Sequence, residues 1–408
     1  RGMDPRRFGT HTGPKSEFAV GKAIEEYHLM YASRPPGEHH PAARRQKTNP
    51  LYDSLDAKGA QWEEVYGWER PQYYGEAEQH TFLRSNAFPI VAEEVKGTRE
   101  RVGIADLTAF AKFEVTGTDA AALLNRVSAN KIPGKDGGMR LVHMLTDLGG
   151  IECEMTITRL AENRYYLNSA IMGTTHDQDW LNQHIAAGED VTVTDVTDDH
   201  GIIAVTGPRA RDVVGGLTGA DLTNASFRWL TAQEIEIAGV AVKALRVSYV
   251  GELGWELHVP IGQMQPLYDA LVAAGEPHGM VHFGSYAMNV MRIEKGYKAW
   301  GSKLTTEIPP IEARLERFVD FDGDFVGKDV TIARRDQDEP LSMVLVYCEI
   351  SEGETDMRGN EPAYDTDDNV IGIGTSGAFG HTVDKSLGFV YVLTDFEAPG
   401  STFEIEML

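Results

Sequence analysis

The spacing of apolar and polar residues predicts an irregular start to the chain. Residues 1–50 are polar and rich in Arg, His and Pro, which predicts an extended arm with one helix over residues 17–30. Residues 51–59 suit a short helix that ends at a glycine. An aromatic cluster follows, and we expect it to pack on its own domain, with an intersubunit contact as the alternative. The cluster consists of Trp62, Tyr66, Trp68, Tyr73 and Tyr74.

From about residue 82 onward, helical and strand patterns are mixed, which predicts a globular α+β region. The predicted helices cover residues 92–102, 120–127, 177–187, 264–274 and 286–293. The predicted strands cover residues 113–115, 141–145, 155–160, 165–168, 202–205, 242–247 and 255–260. After Gly327 the pattern changes to short strands at 343–349, 370–375, 387–392 and 403–407, so we expect a small all-β domain at this end.

Charge and composition exclude several function classes. A chain of 408 residues is expected to form two to four domains. A formal net charge of −24 argues against a nucleic-acid binder and against binding to an anionic membrane. No apolar run is long enough to span a bilayer, which requires about 18 residues. Cys153 and Cys348 are the only cysteines, so we expect neither a disulfide framework nor a metal site. Reduced thiols suit the cytoplasm, or the mitochondrial matrix in a eukaryote.

One glycine pattern formally matches a dinucleotide-binding fingerprint but lacks its context. Gly372, Gly374 and Gly377 have the required spacing. Such a fingerprint needs a helix directly after the third glycine. The residues that follow are polar and few, and a predicted strand comes next. The pattern therefore does not indicate a nucleotide site.

Three carboxylates lie in or near predicted turns. After the glycine pair Gly149-Gly150, an alternating strand would present Glu152 and Glu154 on one face, either in a site or in solvent. Glu252 lies in a glycine-rich bend between two strands. A carboxylate held there can accept two parallel N–H bonds from an amino-pyrimidine edge, although a solvated turn carboxylate is an equal alternative.

A third segment combines a helix end with two aromatic residues. The helix that contains Arg292 is predicted to end at Gly296, and Tyr297 and Trp300 follow. Two aromatics at this position can enclose a flat ring. Packing in the core is the simpler interpretation for this segment alone.

Together, these segments resemble the folate-binding aminomethyltransferase family, which includes the T-protein of glycine cleavage. The resemblance covers residues 102–107, 115–120, 147–157, 246–256, 291–301, 308–315, 325–328 and 375–377. Residues 3–8, 49–52 and 66–71 further resemble a junction in dimethylglycine and sarcosine dehydrogenases. In those enzymes the junction connects an FAD-dependent amine-oxidising domain to a folate domain, and this chain is similar to the C-terminal half.

The resemblance implies a three-lobed α+β fold with a small all-β C-terminal domain. The implied divisions are a linker at 1–85, a folate-binding domain at 86–335 and a C-terminal β-barrel at 336–408. The implied catalytic residue is Glu154. Glu252 and Arg292 would bind the folate, and Tyr249 and Trp300 would border its ring. The T-protein pattern of two adjacent aspartates is replaced here by Cys153 and Glu154, which disfavours aminomethyl transfer from a lipoyl group.

The function implied by the resemblance is the one-carbon capture half of an oxidative N-demethylase. Tetrahydrofolate would be converted to 5,10-methylenetetrahydrofolate with a carbon taken from a methylated amine. FAD would belong to a domain or partner subunit outside this chain. Two alternatives stay open: a free-standing folate-dependent methyltransferase or demethylase without flavin, and a non-enzymatic folate-binding regulatory protein.

Overall fold

The computed structural model describes residues 10–13, 15–35, 37–301, 303–338, 341–351 and 353–407. Within this range the chain forms two compact units. The first unit contains the described residues of Arg1–Phe113, Ile171–Asp179 and Asp195–Met288. The second contains those of Glu114–Ala170, Trp180–Thr194 and Asn289–Leu408. The division at 1–85, 86–335 and 336–408 stays a prediction.

Helices and strands alternate along the chain, as the mixed pattern predicts. The helices are α1 (Glu17–Leu29), α2 (Tyr52–Asp56), α3 (Ala87–Glu100), α4 (Ala120–Val127), α5 (Thr174–Gln183), α6 (Ala210–Gly215), α7 (Met264–Gly275), α8 (Ser285–Glu294) and α9 (Lys328–Asp336). The first nine strands are β1 (Ala60–Val65), β2 (Trp68–Tyr74), β3 (Gly103–Asp106), β4 (Ala111–Thr116), β5 (Met139–Leu145), β6 (Ile151–Ala161), β7 (Arg164–Ser169), β8 (Thr192–Asp195) and β9 (His200–Thr206). The others are β10 (Ala232–Ile237), β11 (Val240–Leu245), β12 (Gly254–Pro260), β13 (Val281–His282), β14 (Met343–Ile350), β15 (Pro362–Tyr364), β16 (Val370–Gly380), β17 (Lys385–Leu393) and β18 (Glu404–Ile405).

The first unit is built on a six-stranded sheet with the order β10-β11-β12-β9-β3-β13. Helix α7 buries Met264, Leu267, Tyr268 and Leu271, whose spacing places them on one face. These side chains belong to a core cluster that also contains Trp255 and other residues of the central strands. Burial of this apolar face holds α7 against the sheet, since each buried large side chain contributes roughly 1.5–3 kcal/mol.

The aromatic cluster at residues 62–74 packs on its own unit, as expected, but it forms a hairpin that the sequence pattern did not predict. Strands β1 and β2 pair in antiparallel fashion around a turn in which Tyr66 and Gly67 both have positive φ. Tyr73 is fully buried, and Trp62 stacks on Tyr52 with 4.3 Å between ring centroids. Pro71 lies inside β2, and a proline normally argues against a strand.

The second unit contains a five-stranded sheet with the order β5-β6-β7-β4-β8. It also contains the sheet β14-β17-β16-β15-β18, which confirms the predicted all-β region at this end of the chain. Residues Gly372–Gly377 lie within strand β16, so no helix follows the third glycine.

Strands β5 and β6 form the predicted hairpin around Gly149 and Gly150. Gly149 has φ of 80°, a conformation that favours glycine. A β-bulge interrupts the pairing, because Leu145 faces Ile151 whereas Met144 faces Cys153. Glu152 is only 6% exposed, so the alternative of a fully solvated strand face is wrong.

We predict that Gly150→Ala strongly destabilises this hairpin. A Cβ at Gly150 would lie 1.8 Å from the carbonyl oxygen of Thr306, so backbone must move. Overpacking of this kind costs about 1–3 kcal/mol and occasionally more. Gly134→Ala is the matched control, since a Cβ there meets nothing within 4 Å. Thermal unfolding should show a much lower Tm for Gly150→Ala and little change for Gly134→Ala. Equal Tm values would contradict the assigned turn.

Candidate functional site

Glu154 is held by a histidine from the neighbouring strand. His143 lies directly opposite Glu154 in the β5–β6 pairing, and its Nε2 is 2.8 Å from Glu154 Oε2. The histidine side chain is 1% exposed, whereas that of Glu154 is 19% exposed. The carboxylate is thus fixed at one oxygen and still reachable from solvent.

One aromatic ring contacts the histidine of this pair, and a second packs on the same core cluster. The ring of His143 meets that of Phe318 edge-on, with centroids 5.7 Å apart. Phe318 and Trp300 both pack against the core cluster that contains Leu145 and Ile151. The predicted catalytic carboxylate and the predicted ring-bordering Trp300 therefore belong to the same region of the second unit.

Lys298 carries an amine that is easily deprotonated. Burial, and to a lesser extent Arg317, lower the pKa of Lys298 to about 8, while Glu316 and Glu154 act in the opposite direction. Its Nζ donates to the carbonyl oxygen of Arg314 at 3.0 Å. The region around Glu154 thus combines a carboxylate, an imidazole and a weakly basic amine, which are groups suited to proton transfer.

Arg292 lies at the end of helix α8 and is 3% exposed. Its guanidinium donates to Asn289 Oδ1, to the carbonyl oxygen of Tyr297 and to Ser376 Oγ. These bonds connect the helix end to strand β16 within the second unit. They support a structural role for Arg292, and its predicted contact with folate stays a prediction.

Glu252 lies in the predicted bend, where Gly251 has φ of 75°. Arg99 Nη1 donates to Glu252 Oε1 at 2.8 Å and to the carbonyl oxygen of Val250 at 2.6 Å. The side chain of Glu252 is 23% exposed. The carboxylate therefore stabilises its own turn through Arg99, and its predicted role in folate binding remains a prediction.

A small surface recess lies beside this bend in the first unit. Its lining residues are Leu107, Ala204, Thr206, Val247, Ser248, Tyr249, Val250, Trp255, Glu256, Phe283 and Met288. Most of them are apolar or aromatic. Thr206 Oγ1 and Ser248 Oγ lie 3.0 Å apart and supply polar groups. Tyr249, which is predicted to border the folate ring, is thus one of the residues that line this recess.

Glu256 is the one carboxylate among the residues that line this recess. It lies on β12, and burial raises its pKa to about 7. His258 Nε2 is 3.7 Å from Glu256 Oε2, and burial lowers the pKa of His258 well below its ordinary value, so the imidazole is neutral at pH 7. A carboxyl group of this kind is poised to bind a ligand that presents N–H donors.

Sequence reasoning missed His143, Lys298 and Glu256. The predicted hairpin around Gly149-Gly150 indicates that His143 faces strand β6. The β-bulge changes which residue of β6 it faces. Glu256 lies on β12, which is buried on both faces, so no alternation of apolar and polar residues marks it. No signal in the sequence marks Lys298, because its lowered pKa depends on burial.

The described residues show neither a metal site nor a membrane-spanning helix. No group of three or more His, Cys, Asp or Glu side chains in that part of the chain has an arrangement that could hold a metal ion. No described helix combines the length and apolar character needed to cross a bilayer.

Two family profiles match this chain. The GCVT N-terminal domain matches residues 51–323, and the glycine cleavage T-protein C-terminal barrel domain matches residues 344–408. The aminomethyltransferase T of the glycine cleavage system from Bartonella henselae has a similar crystal structure. It has a TM-score of 0.76 and 25% sequence identity, covering 88% of this chain and 94% of that one.

Two curated relatives extend well beyond the matched region. Human mitochondrial dimethylglycine dehydrogenase is 34% identical over 415 residues, which cover all of this chain and 47% of the relative. The mouse mitochondrial pyruvate dehydrogenase phosphatase regulatory subunit is 29% identical over 405 residues, covering 96% of this chain and 46% of that protein. The chain thus spans about half the length of these relatives.

Proposed function

Because this chain belongs to the GCVT aminomethyltransferase family, we propose that it captures a one-carbon unit on tetrahydrofolate, the ligand of that family. The observation that carries the proposal is the fixed carboxylate of Glu154 beside His143, in a region that includes Trp300. Glutamate at this position, with Cys153 before it, favours one-carbon capture over transfer from a lipoyl group.

The chemistry is a condensation. A secondary amine nitrogen of tetrahydrofolate attacks formaldehyde and gives a carbinolamine, which takes up a proton and loses water to form an iminium ion. The second folate nitrogen closes the ring and releases a proton, giving 5,10-methylenetetrahydrofolate. Glu154 takes up the proton released at nitrogen, and such general-base catalysis contributes typically about 10²–10⁴-fold. His143 positions the carboxylate for this transfer.

The folate ring would bind at the recess that Tyr249 and Glu256 line. We propose that Glu256 accepts two N–H bonds from the amino-pyrimidine edge, while Tyr249 and Phe283 contact the ring face. Buried, ionised carboxylates form strong bidentate bonds with planar donors. Glu252, which the family resemblance indicates for this role, is bonded to Arg99.

The carbon would come from an amine-oxidising flavoprotein. Dimethylglycine dehydrogenase contains a stretch similar to this chain within a polypeptide about twice as long, which supports a flavin-containing half or subunit as the partner. Oxidation of an N-methyl amine there would supply formaldehyde or the equivalent iminium. Confinement of this reactive product near bound folate would raise its effective concentration.

The test has two measurements on the protein. Isothermal titration with tetrahydrofolate under anaerobic conditions should show saturable binding at one site. Addition of formaldehyde should then give methylenetetrahydrofolate faster than the uncatalysed condensation at the same pH. Absence of binding would overturn the proposal, and binding without acceleration would favour a non-catalytic role.

That non-catalytic role has an observation in its favour. The pyruvate dehydrogenase phosphatase regulatory subunit is 29% identical to this chain, and the match extends over 96% of the chain. A regulatory protein of this fold would bind folate as a signal and would need no proton acceptor at Glu154. The reaction rate, rather than folate affinity, therefore discriminates between the two functions.

A further inference from the structure

Helix α1 turns its polar side toward its own unit. Lys22 Nζ lies 3.2 Å from Glu64 Oε2 and donates to the carbonyl oxygen of His40. Glu25 Oε1 accepts a bond from the backbone N–H of Ala42. The side chains of Lys22 and Glu25 are only 18% and 11% exposed. The inner face of this helix is thus held by ion pairs and hydrogen bonds.

The opposite face is apolar and exposed. Val20, Ile24 and Tyr27 follow the i, i+4, i+7 spacing of one helical face, and Tyr31 continues it just beyond the helix. Their exposed fractions are 46%, 54%, 74% and 95%. We refer to these four residues as the outer stripe. A helix on a globular protein normally has the reverse arrangement, with its apolar stripe facing the core.

We propose that the outer stripe is covered by the amine-oxidising half of the natural protein. This inference rests on the proposed function. The region similar to this chain makes up only 47% of human dimethylglycine dehydrogenase, so more than half of that protein lies outside it. Contiguous exposed apolar surface marks an interaction site.

A second copy of this chain is a weaker candidate for the occupant. Each copy carries a formal net charge of −24, so two copies repel each other over a Debye length of about 8–10 Å. Stable association between separate proteins also buries roughly 1,200–2,000 Å² in total. Four side chains supply little of that area. They suffice for a contact between two parts of one polypeptide or permanent complex, because the effective concentration of one part near the other is high.

The experiment places a photo-cross-linking amino acid, benzoylphenylalanine, at position 27 in the natural full-length protein or complex, purified with its flavin. Irradiation followed by peptide mass spectrometry should identify a cross-link from position 27 to the flavin-bearing half. The matched control carries the cross-linker at Trp229, which is 68% exposed in the same unit but outside helix α1. Introducing Ile24→Glu should abolish the cross-link at position 27.

Each outcome has a defined meaning. A cross-link to another copy of this chain, or only to residues within 10–407, would overturn the proposed interface. The same sample is titrated with tetrahydrofolate. Folate binding without the cross-link refutes the interface and leaves the proposed function intact, whereas loss of folate binding in the unmodified protein refutes the function itself.

Discussion

Replacing Glu154 by glutamine is expected to slow formation of methylenetetrahydrofolate by about 10²–10⁴-fold, the usual contribution of a positioned general base. Glutamine has nearly the same shape and can still bond to His143, so the hairpin should keep its structure. It cannot take up a proton from the attacking folate nitrogen. The dissociation constant for tetrahydrofolate should stay close to that of the wild type, because Glu154 is assigned to proton transfer and the amino-pyrimidine edge to Glu256. Single-turnover mixing with formaldehyde measures the rate, and isothermal titration measures the affinity.

Two further variants separate proton transfer from loss of structure. Glu154→Asp retains the carboxylate with a shorter reach and should restore part of the rate. His143→Leu removes the 2.8 Å contact with Glu154 and should cause a smaller loss than Glu154→Gln, because the base remains but is less well oriented. An unchanged rate for Glu154→Gln would refute the assignment. A rate loss accompanied by an equal loss of folate affinity would place Glu154 in binding instead.

The sequence predicted the elements with strong local signals. Helix α4, for example, occupies Ala120–Val127 as expected, and the β5–β6 hairpin forms at its glycine pair. The β1–β2 hairpin was missed because its turn uses Tyr66-Gly67 rather than Asn-Gly and because Pro71 lies in the second strand. The sequence therefore predicts a hairpin best where the turn residues and the strand residues both favour it.

The candidate site was predictable only in part. Glu154 and Trp300 were identified from the sequence, and the structure places both in one region of the second unit. Counting outward from the glycine turn would pair Leu145 with Ile151 and then His143 with Cys153. The bulge adds one residue and pairs His143 with Glu154 instead. Bulges and burial depend on tertiary packing, so neither the partner of Glu154 nor the raised pKa of Glu256 can be read from the chain.

Glu252 in the bend and Glu256 on β12 provide a further test, because the two assignments predict different effects on folate affinity. Glu256→Gln should weaken tetrahydrofolate binding by about 1.5–3 kcal/mol, the value of hydrogen bonds to a charged group, which is about 10- to 150-fold in Kd. Glu252→Gln is the matched control. It removes the charge that pairs with Arg99 in the turn, and it should change Kd much less. A larger loss of folate affinity in Glu252→Gln than in Glu256→Gln would assign the pterin contact to Glu252, as the family resemblance implies.

The pH dependence of binding follows from the same carboxyl group. Burial raises the pKa of Glu256 to about 7, so the side chain is mostly protonated at pH 6 and mostly ionised at pH 8. Because two N–H donors require the ionised form, folate affinity should increase by about tenfold over this range, as expected for one titrating group. Glu256→Gln cannot titrate, and its Kd should stay flat between pH 6 and 8. A wild-type profile that is equally flat would show that Glu256 does not contact the ligand, whereas a slope that persists in Glu256→Gln would assign the titration to another group.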